Sequence, residues 1–145
     1  MATVYDVARY IIDKLDSVSA WKLQKLCYYC QAWSIAWTDK PLFEEEFEAW
    51  RNGPVCPKLY EVHRGQYMVR AGDIAGMPDN LDTDQKDTID TVLAHYGNWE
   101  PHQLVEQTHN DDPWKIARGN LDPAEPCKAV ITKESMGAFT GVCNG

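Results

Sequence analysis

The residues of this chain that are able to do chemistry are its cysteines and histidines. Cys27 and Cys30 lie three positions apart, the spacing at which two thiolates on one helical turn share a metal ion or form a disulfide. Both lie inside an aromatic helical segment rather than at its start, and the sequence has no second CxxC pair. Because apolar surroundings keep a thiol protonated and inert, we interpret this pair as core packing.

Cys56 is the other candidate nucleophile, because it directly precedes Pro57 at a predicted helix start. The helix dipole and the free amides of a first turn favour a thiolate there. His63 lies about two turns along that helix, roughly 10 Å away by the helical rise, which is too far for a general base. A hydrolase centred on Cys56 would therefore need another histidine.

His102 and His109 supply an alternative, since they are followed by Asp111 and Asp112. Imidazole and carboxylate groups on one helical face form a weak zinc or hard-metal constellation. The purely structural interpretation is that Pro101 and the Asp112-Pro113 pair start helices and that His109 forms a hydrogen bond with a neighbouring backbone group. A thiol- or metal-dependent hydrolase stays open as an alternative, although we expect no enzyme activity, no metal and no cofactor.

Charge and length exclude several other classes of function. The 145 residues suit a single domain, residues 1–145 with a core of about 4–140, and 14 basic against 22 acidic residues give a net charge of -8. This charge disfavours direct binding of nucleic acid. Residues 26–37 are too short to cross a membrane, which takes about 20 residues. The start resembles no secretory signal and the five cysteines form no disulfide framework, so we expect a cytoplasmic protein with free thiols.

Local signals predict an all-α fold, a single-domain helical bundle around a long central helix, with at most one short β-hairpin at residues 47–55. Helical stripes follow N-caps, and prolines occupy the first turns of further helices. The caps and first-turn prolines are Thr3, Ser19, Asp82, Thr132, Pro57, Pro101 and Pro113. Residues 66–80 are predicted as a mobile loop because glycines and Pro78 interrupt every pattern. Phe139 is predicted to extend the apolar face of the last helix, and Pro123 to lie in a loop.

Six tryptophans and seven tyrosines exceed what one small core needs, and these residue types are enriched at interface hot spots. Their spacing predicts that Trp33, Trp37 and Trp50 belong to the core. An exposed patch is predicted for the residues that do not follow the apolar stripes. These candidate binding residues are Lys22, Lys25, Tyr28, Arg51 and Asn52.

Three segments, taken in order, carry a resemblance to a known family. Their residues are Leu23, Leu26 and the flanking lysines of the KLQKL motif, Trp50, Gly53, Pro54, Val55, Pro57 and Tyr60 of the AWxxGPVxPxxY motif, and His109, Pro113 and Trp114. Over residues 4–139 the chain resembles the Panacea domain family, also called the SocA-like antitoxin domain and described as phage-associated protein. We expect these motif residues, apart from the two lysines, to be mainly structural.

The resemblance implies a mostly helical antitoxin of a type II-like toxin-antitoxin system, which neutralises a cognate toxin by direct protein contact. One member of the family delivers its toxin to a cellular protease, so a proteolytic adaptor is an alternative function with a protease as a further partner. A solitary phage structural or host-modulating protein is another alternative. The acidic, helical sequence without an assembled catalytic set favours a binding module.

Overall fold

The computed structural model describes residues 2–119, 121–122 and 125–137. These residues form seven helices and five short strands. The helices are α1 (Val4–Leu15), α2 (Ala20–Thr38), α3 (Pro57–His63), α4 (Thr83–Tyr96), α5 (Pro101–Asn110), α6 (Asp112–Arg118) and α7 (Lys133–Gly137), and the strands are β1 (Ser17–Ser19), β2 (Phe47–Trp50), β3 (Gly53–Val55), β4 (Met68–Arg70) and β5 (Val130–Ile131). Pro123, Phe139 and Cys143 lie outside the described residues.

The helix starts follow from local capping chemistry. Thr3 and Asp6 form a reciprocal capping box at α1, and Asp82 and Gln85 form another at α4. The Ser19 hydroxyl accepts a hydrogen bond from the amide of Lys22 at the start of α2. These side chains satisfy amide donors that have no partner within the helix. The predicted starts of α1, α2 and α4 are confirmed.

Helix α2 is buried on nearly every side over residues 23–35 and packs against α1, α4, α5 and α7. A helix that is apolar around its circumference must be covered by several neighbours. Trp33 is buried as predicted, but Trp37 is 48% exposed. The prediction for Trp37 is wrong because residues 36–41, at the end of the helix, are only partly covered by the rest of the chain.

The fold is mainly α with a minor β component, so the prediction of at most one hairpin is wrong. The predicted hairpin forms from β2 and β3, but β5 extends it to three strands, and β1 pairs with β4 in a second sheet. The additional strands have two or three residues each, too few for a period-two pattern to be visible in the sequence. Residues 66–80, predicted as an unpatterned loop, contain β4 and contribute the buried side chains of Val69 and Ile74.

Tyr28 and Tyr29 are adjacent, fully buried tyrosines with different hydroxyl environments. The Tyr29 hydroxyl donates to Asp111 Oδ2 at 2.7 Å, and Gln107 Nε2 donates to the other carboxylate oxygen at 3.2 Å. The Tyr28 hydroxyl has no hydrogen-bond partner among the described residues. A buried carboxylate depends on such donors, because burial raises the pKa of Asp111 and the bond from Tyr29 lowers it.

This pair gives a matched test of the buried contacts. We expect Tyr29→Phe to lower the free energy of unfolding by about 1.5–3 kcal/mol, because it removes a hydrogen bond to a buried carboxylate. Tyr28→Phe should leave the free energy of unfolding within about 0.5 kcal/mol of the parent protein or raise it. Urea denaturation of both variants measures the difference, and equal losses would contradict this assignment of the two hydroxyls.

Candidate functional site

The three motif segments meet at the hairpin formed by β2 and β3. Lys25 Nζ donates a hydrogen bond to the carbonyl of Pro54 at 2.9 Å. Gln24 Oε1 accepts from the amide of Cys56 at 2.8 Å, and its Nε2 lies 2.9 Å from Nε2 of His63. Helix α2 therefore fixes the second strand of the hairpin and the start of α3 through two consecutive side chains.

The opposite side of the hairpin is fixed by α6. Trp114 Nε1 donates to the carbonyl of Trp50 at 2.8 Å, and Arg118 donates to the carbonyl of Ala49 at 2.8 Å. The ring of His109 stacks on Trp114 with centroids 4.2 Å apart, and the Arg118 guanidinium lies over the same indole at 4.8 Å. The motif residues thus hold one turn of backbone in place from both sides.

Two of the predicted binding residues are not exposed. Lys25 is 2% exposed and Tyr28 is fully buried, so the prediction of exposure is wrong for both. The long aliphatic stem of a lysine packs among apolar groups, and here the amine reaches a backbone carbonyl under the hairpin. Burial lowers the pKa of Lys25 to about 7. Lys22 is half-buried, and its Nζ donates to the carbonyl of Gly97.

Arg51 and Asn52 are exposed, and both lie on the rim of a surface groove of about 600 Å³. The groove runs between the start of α2, the hairpin turn, the end of α3 and the segment before β5. Its lining is largely aromatic, with polar groups at the rim. The aromatic members are Trp21, Trp50, Tyr60 and Tyr67, and the polar ones include Gln24, Arg51, Asn52, His63, Gln66 and Lys128.

Two aromatic side chains of the groove are strongly exposed. Tyr67 is 80% exposed and Trp21 is 54% exposed. Trp50, predicted as core, is only half-buried, and its ring meets that of Tyr60 edge to face with centroids 5.1 Å apart. Exposed aromatic surface around a concavity is a typical feature of interaction sites.

The floor of the groove contains a neutral histidine. Burial lowers the pKa of His63, and its Nε2 faces the Gln24 side-chain nitrogen, which donates because Gln24 Oε1 already accepts from Cys56. His63 Nε2 is therefore the acceptor and its proton lies on Nδ1. This network orients the groove floor without placing an acid or a base at the surface.

The Cys56 thiol does not have the environment that its position at a helix start suggests. Cys56 is fully buried. Burial raises the pKa of the thiol to about 11, although the amides of Leu59 and Lys58 act in the opposite direction. The expectation of a favoured thiolate is wrong, because burial outweighs the helix amides.

The histidines of α5 do not assemble with the neighbouring carboxylates. His102 is exposed, His109 is stacked on Trp114, and Asp111 is bonded to Tyr29. Within the described ranges no group of three or more histidine, cysteine or carboxylate side chains is arranged to hold a metal ion. Cys27, Cys30, Cys56 and Cys127 are free. None of the helices in the described residues is long and apolar enough to cross a membrane.

Trp21, Tyr67 and Lys128 line the groove but were not among the binding residues predicted from sequence. Exposure of Trp21 could have been inferred from sequence, because Trp21 comes before Leu23, where the apolar stripe of α2 begins. Tyr67 gave no signal, since it lies in the segment predicted as a loop. Lys128 is about 75 residues from the hairpin turn in sequence, and only the fold brings them to one groove.

Comparison with known proteins links this architecture to one family. The family profile described as "Antitoxin SocA-like, Panacea domain" matches residues 23–115. The chain is 28% identical over 126 residues to antitoxin SocA of Caulobacter vibrioides (strain NA1000 / CB15N), an alignment that covers 76% of this chain and 67% of that protein. No solved structure matches significantly. The matched range contains Lys25, the hairpin and Trp114.

Proposed function

Because this chain belongs to the SocA-like antitoxin family with the Panacea domain, we propose that it is an antitoxin that neutralises a cognate toxin by direct protein contact. The groove beside the hairpin is the proposed contact surface. Complex formation takes place in the cytoplasm, where free thiols such as those of the buried cysteines persist.

The observation that carries this proposal is the exposure of Trp21 and Tyr67 at a groove that the motif residues build. Tryptophan, tyrosine and arginine contribute most of the binding free energy at protein interfaces, and Arg51 lies at the same rim. Beneath this surface, Lys25 and Trp114 donate hydrogen bonds to the hairpin backbone, so the turn that forms one wall of the groove is already in place before the partner binds. A preformed surface loses less entropy on binding.

The proposed mechanism requires no reaction by the antitoxin itself. The buried Cys56 thiol takes part in packing at the start of α3. A folded Cys56→Ser variant should therefore still neutralise the toxin. Loss of neutralisation by this variant, with unchanged thermal unfolding, would contradict a pure binding mechanism.

The function is tested by co-expression with any neighbouring gene that proves toxic when it is expressed alone. We expect the double variant Trp21→Ala Tyr67→Ala to give at least tenfold fewer colonies than the parent protein on co-expression. The reason is that the substitutions remove both exposed aromatic rings from the contact surface. Trp37→Ala is the matched control, since Trp37 is 48% exposed but lies roughly 24 Å from Trp21 along α2 by the helical rise. The control should rescue growth like the parent protein.

Experiments with purified antitoxin and toxin test whether the lost rescue reflects lost binding. The groove variant should fold, with an unchanged circular dichroism spectrum, and should fail to co-elute with the toxin. Immunoblotting of the toxin during rescue distinguishes direct inhibition, which leaves the toxin level constant, from delivery to a protease, which lowers it. Full rescue by the folded groove variant would exclude this groove as the contact surface, and no toxicity of any neighbouring gene would contradict the antitoxin function.

A further inference from the structure

The groove differs in charge from the rest of the protein. The chain carries a net charge of -8, but the charged side chains that line the groove in the described part of the chain are Arg51 and Lys128, with no aspartate or glutamate among them. Both cations are exposed. Their charges are therefore available to a ligand rather than neutralised within the groove.

Two carboxylates beside the groove accept hydrogen bonds from side chains that line it. Glu48 accepts a hydrogen bond from Trp50 Nε1 at 2.7 Å. Asp73 accepts from Gln66 Nε2 at 3.0 Å and from the amide of Arg70 at 2.9 Å. Hydrogen bonding holds the pKa of Asp73 below its usual range. These two groups shape the groove walls through Trp50 and Gln66, and neither forms a salt bridge with Arg51 or Lys128.

We propose that the groove recognises an acidic segment of the partner protein, with apolar or aromatic side chains packed on Trp21 and Tyr67 and carboxylates facing Arg51 and Lys128. This inference rests on the proposed function and specifies the chemistry of the toxin segment. Arginine binds carboxylates through two parallel hydrogen bonds, and complementary charge sets specificity and association rate. The net charge of -8 repels acidic chains from the protein as a whole, and the two exposed cations of the groove offset that repulsion locally.

Nucleic acid would present similar chemistry, because aromatic rings and cations also bind single strands. The geometry favours a protein segment. Binding of a polyphosphate chain is driven by many phosphate contacts that release counterions, whereas this groove offers two cations on a protein with a net charge of -8. A short peptide places a few carboxylates beside apolar anchors, which matches the composition of the lining.

The test is selection from a random dodecapeptide phage library on the full chain, with the Trp21→Ala Tyr67→Ala variant used for counter-selection. We expect the selected peptides to be enriched in aspartate and glutamate next to leucine or aromatic residues. The Arg51→Glu Lys128→Glu variant should bind those peptides at least about tenfold more weakly and should itself select lysine- and arginine-containing peptides. Raising the salt concentration should weaken binding.

A control with the same change in net charge is Lys14→Glu Lys40→Glu, since both lysines are exposed and neither lines the groove. Its peptide affinity should stay within about twofold of the parent value. A fluorescent single-stranded oligodeoxythymidine should not bind at the same protein concentration, and competition between it and the peptides would overturn the proposal.

The result also separates this inference from the proposed function. Selection of neutral or basic peptides by the parent protein, or equal affinity of the groove and control charge variants, would overturn the acidic-segment proposal. Growth rescue that still depends on Trp21 and Tyr67 would then leave the antitoxin function standing. Loss of that dependence would count against the groove as the toxin-binding surface.

Discussion

Replacing Gly53 by alanine is expected to lower the free energy of unfolding by about 2–6 kcal/mol, enough to unfold a marginally stable domain. Gly53 has φ of +109°, a conformation that residues with a Cβ adopt only under strain. An added Cβ would also lie 2.7 Å from Lys25 Cε and 2.8 Å from Thr108 Oγ1. Strain and overpacking each cost about 1–3 kcal/mol.

Neither neighbour has room to retreat. Lys25 is fully enclosed and bonded to Pro54, and the Thr108 hydroxyl donates to the carbonyl of Val105 at 2.8 Å. Gly65→Ala is the matched control, because Gly65 has φ of +87° but nothing within 4 Å of the added Cβ. It should show the strain alone, about 1–3 kcal/mol. Chemical denaturation measures both variants, and equal losses would show that the hairpin is not packed against Lys25.

The second large effect is a pH-dependent stability that originates from Lys25. Burial lowers the pKa of Lys25 to about 7 in the folded protein, from a usual value of 10.5. Between these two values the unfolded chain binds more protons than the folded one, so the stability of the folded state rises with pH. The rise reaches about 1.4 kcal/mol per pH unit, or about 2 kcal/mol between pH 7 and pH 9. Below that window the cost of the buried charge is constant.

Lys25→Met should remove this pH dependence while keeping a stem of similar length in the core. Denaturation of both proteins at a series of pH values gives the difference between them, in which titrating groups that do not interact with Lys25 cancel. Lys25 also acts on the pKa values of His63 and His109, but both are lowered from the usual 6.5 and so lie below this pH window. Between pH 7 and pH 9, the free energy of unfolding of the parent protein should rise by about 2 kcal/mol relative to that of the variant. Lys58→Met, at an exposed position, should follow the parent curve. Parallel curves for the parent protein and Lys25→Met would show that Lys25 is not desolvated.

The elements of secondary structure were largely predictable from the sequence, because their signals are local. A capping side chain such as Ser19 or Asp82 bonds an amide three residues away, and a proline at a first turn lacks the amide that would have no partner. The turn at Gly53 follows from its glycine and the proline after it. Strands β1, β4 and β5 were missed because their pairing partners are distant in sequence.

The site was less predictable, and the two motif lysines show why. Lys22 and Lys25 are polar residues on the same helix, and sequence alone assigned both to an exposed patch. The structure leaves Lys22 half-buried and encloses Lys25 completely, because the carbonyl of Pro54 and the face of α5 cover one side of α2. Which side of an all-round apolar helix receives a neighbour is decided by packing, not by the helix itself.

The sequence by itself therefore determined the helix starts, the hairpin turn, the acidic net charge and the family resemblance, since each depends on residues near one another in the chain or on composition alone. The tertiary structure alone decided the groove. Its lining comes from the start of α2, the hairpin turn, Tyr67 and Lys128. These segments are adjacent because β3 and α3 contact α2 and β5 pairs with β2, not because of any local pattern. Exposure of an aromatic ring or burial of a lysine depends on what covers it, and that is fixed when distant segments pack together.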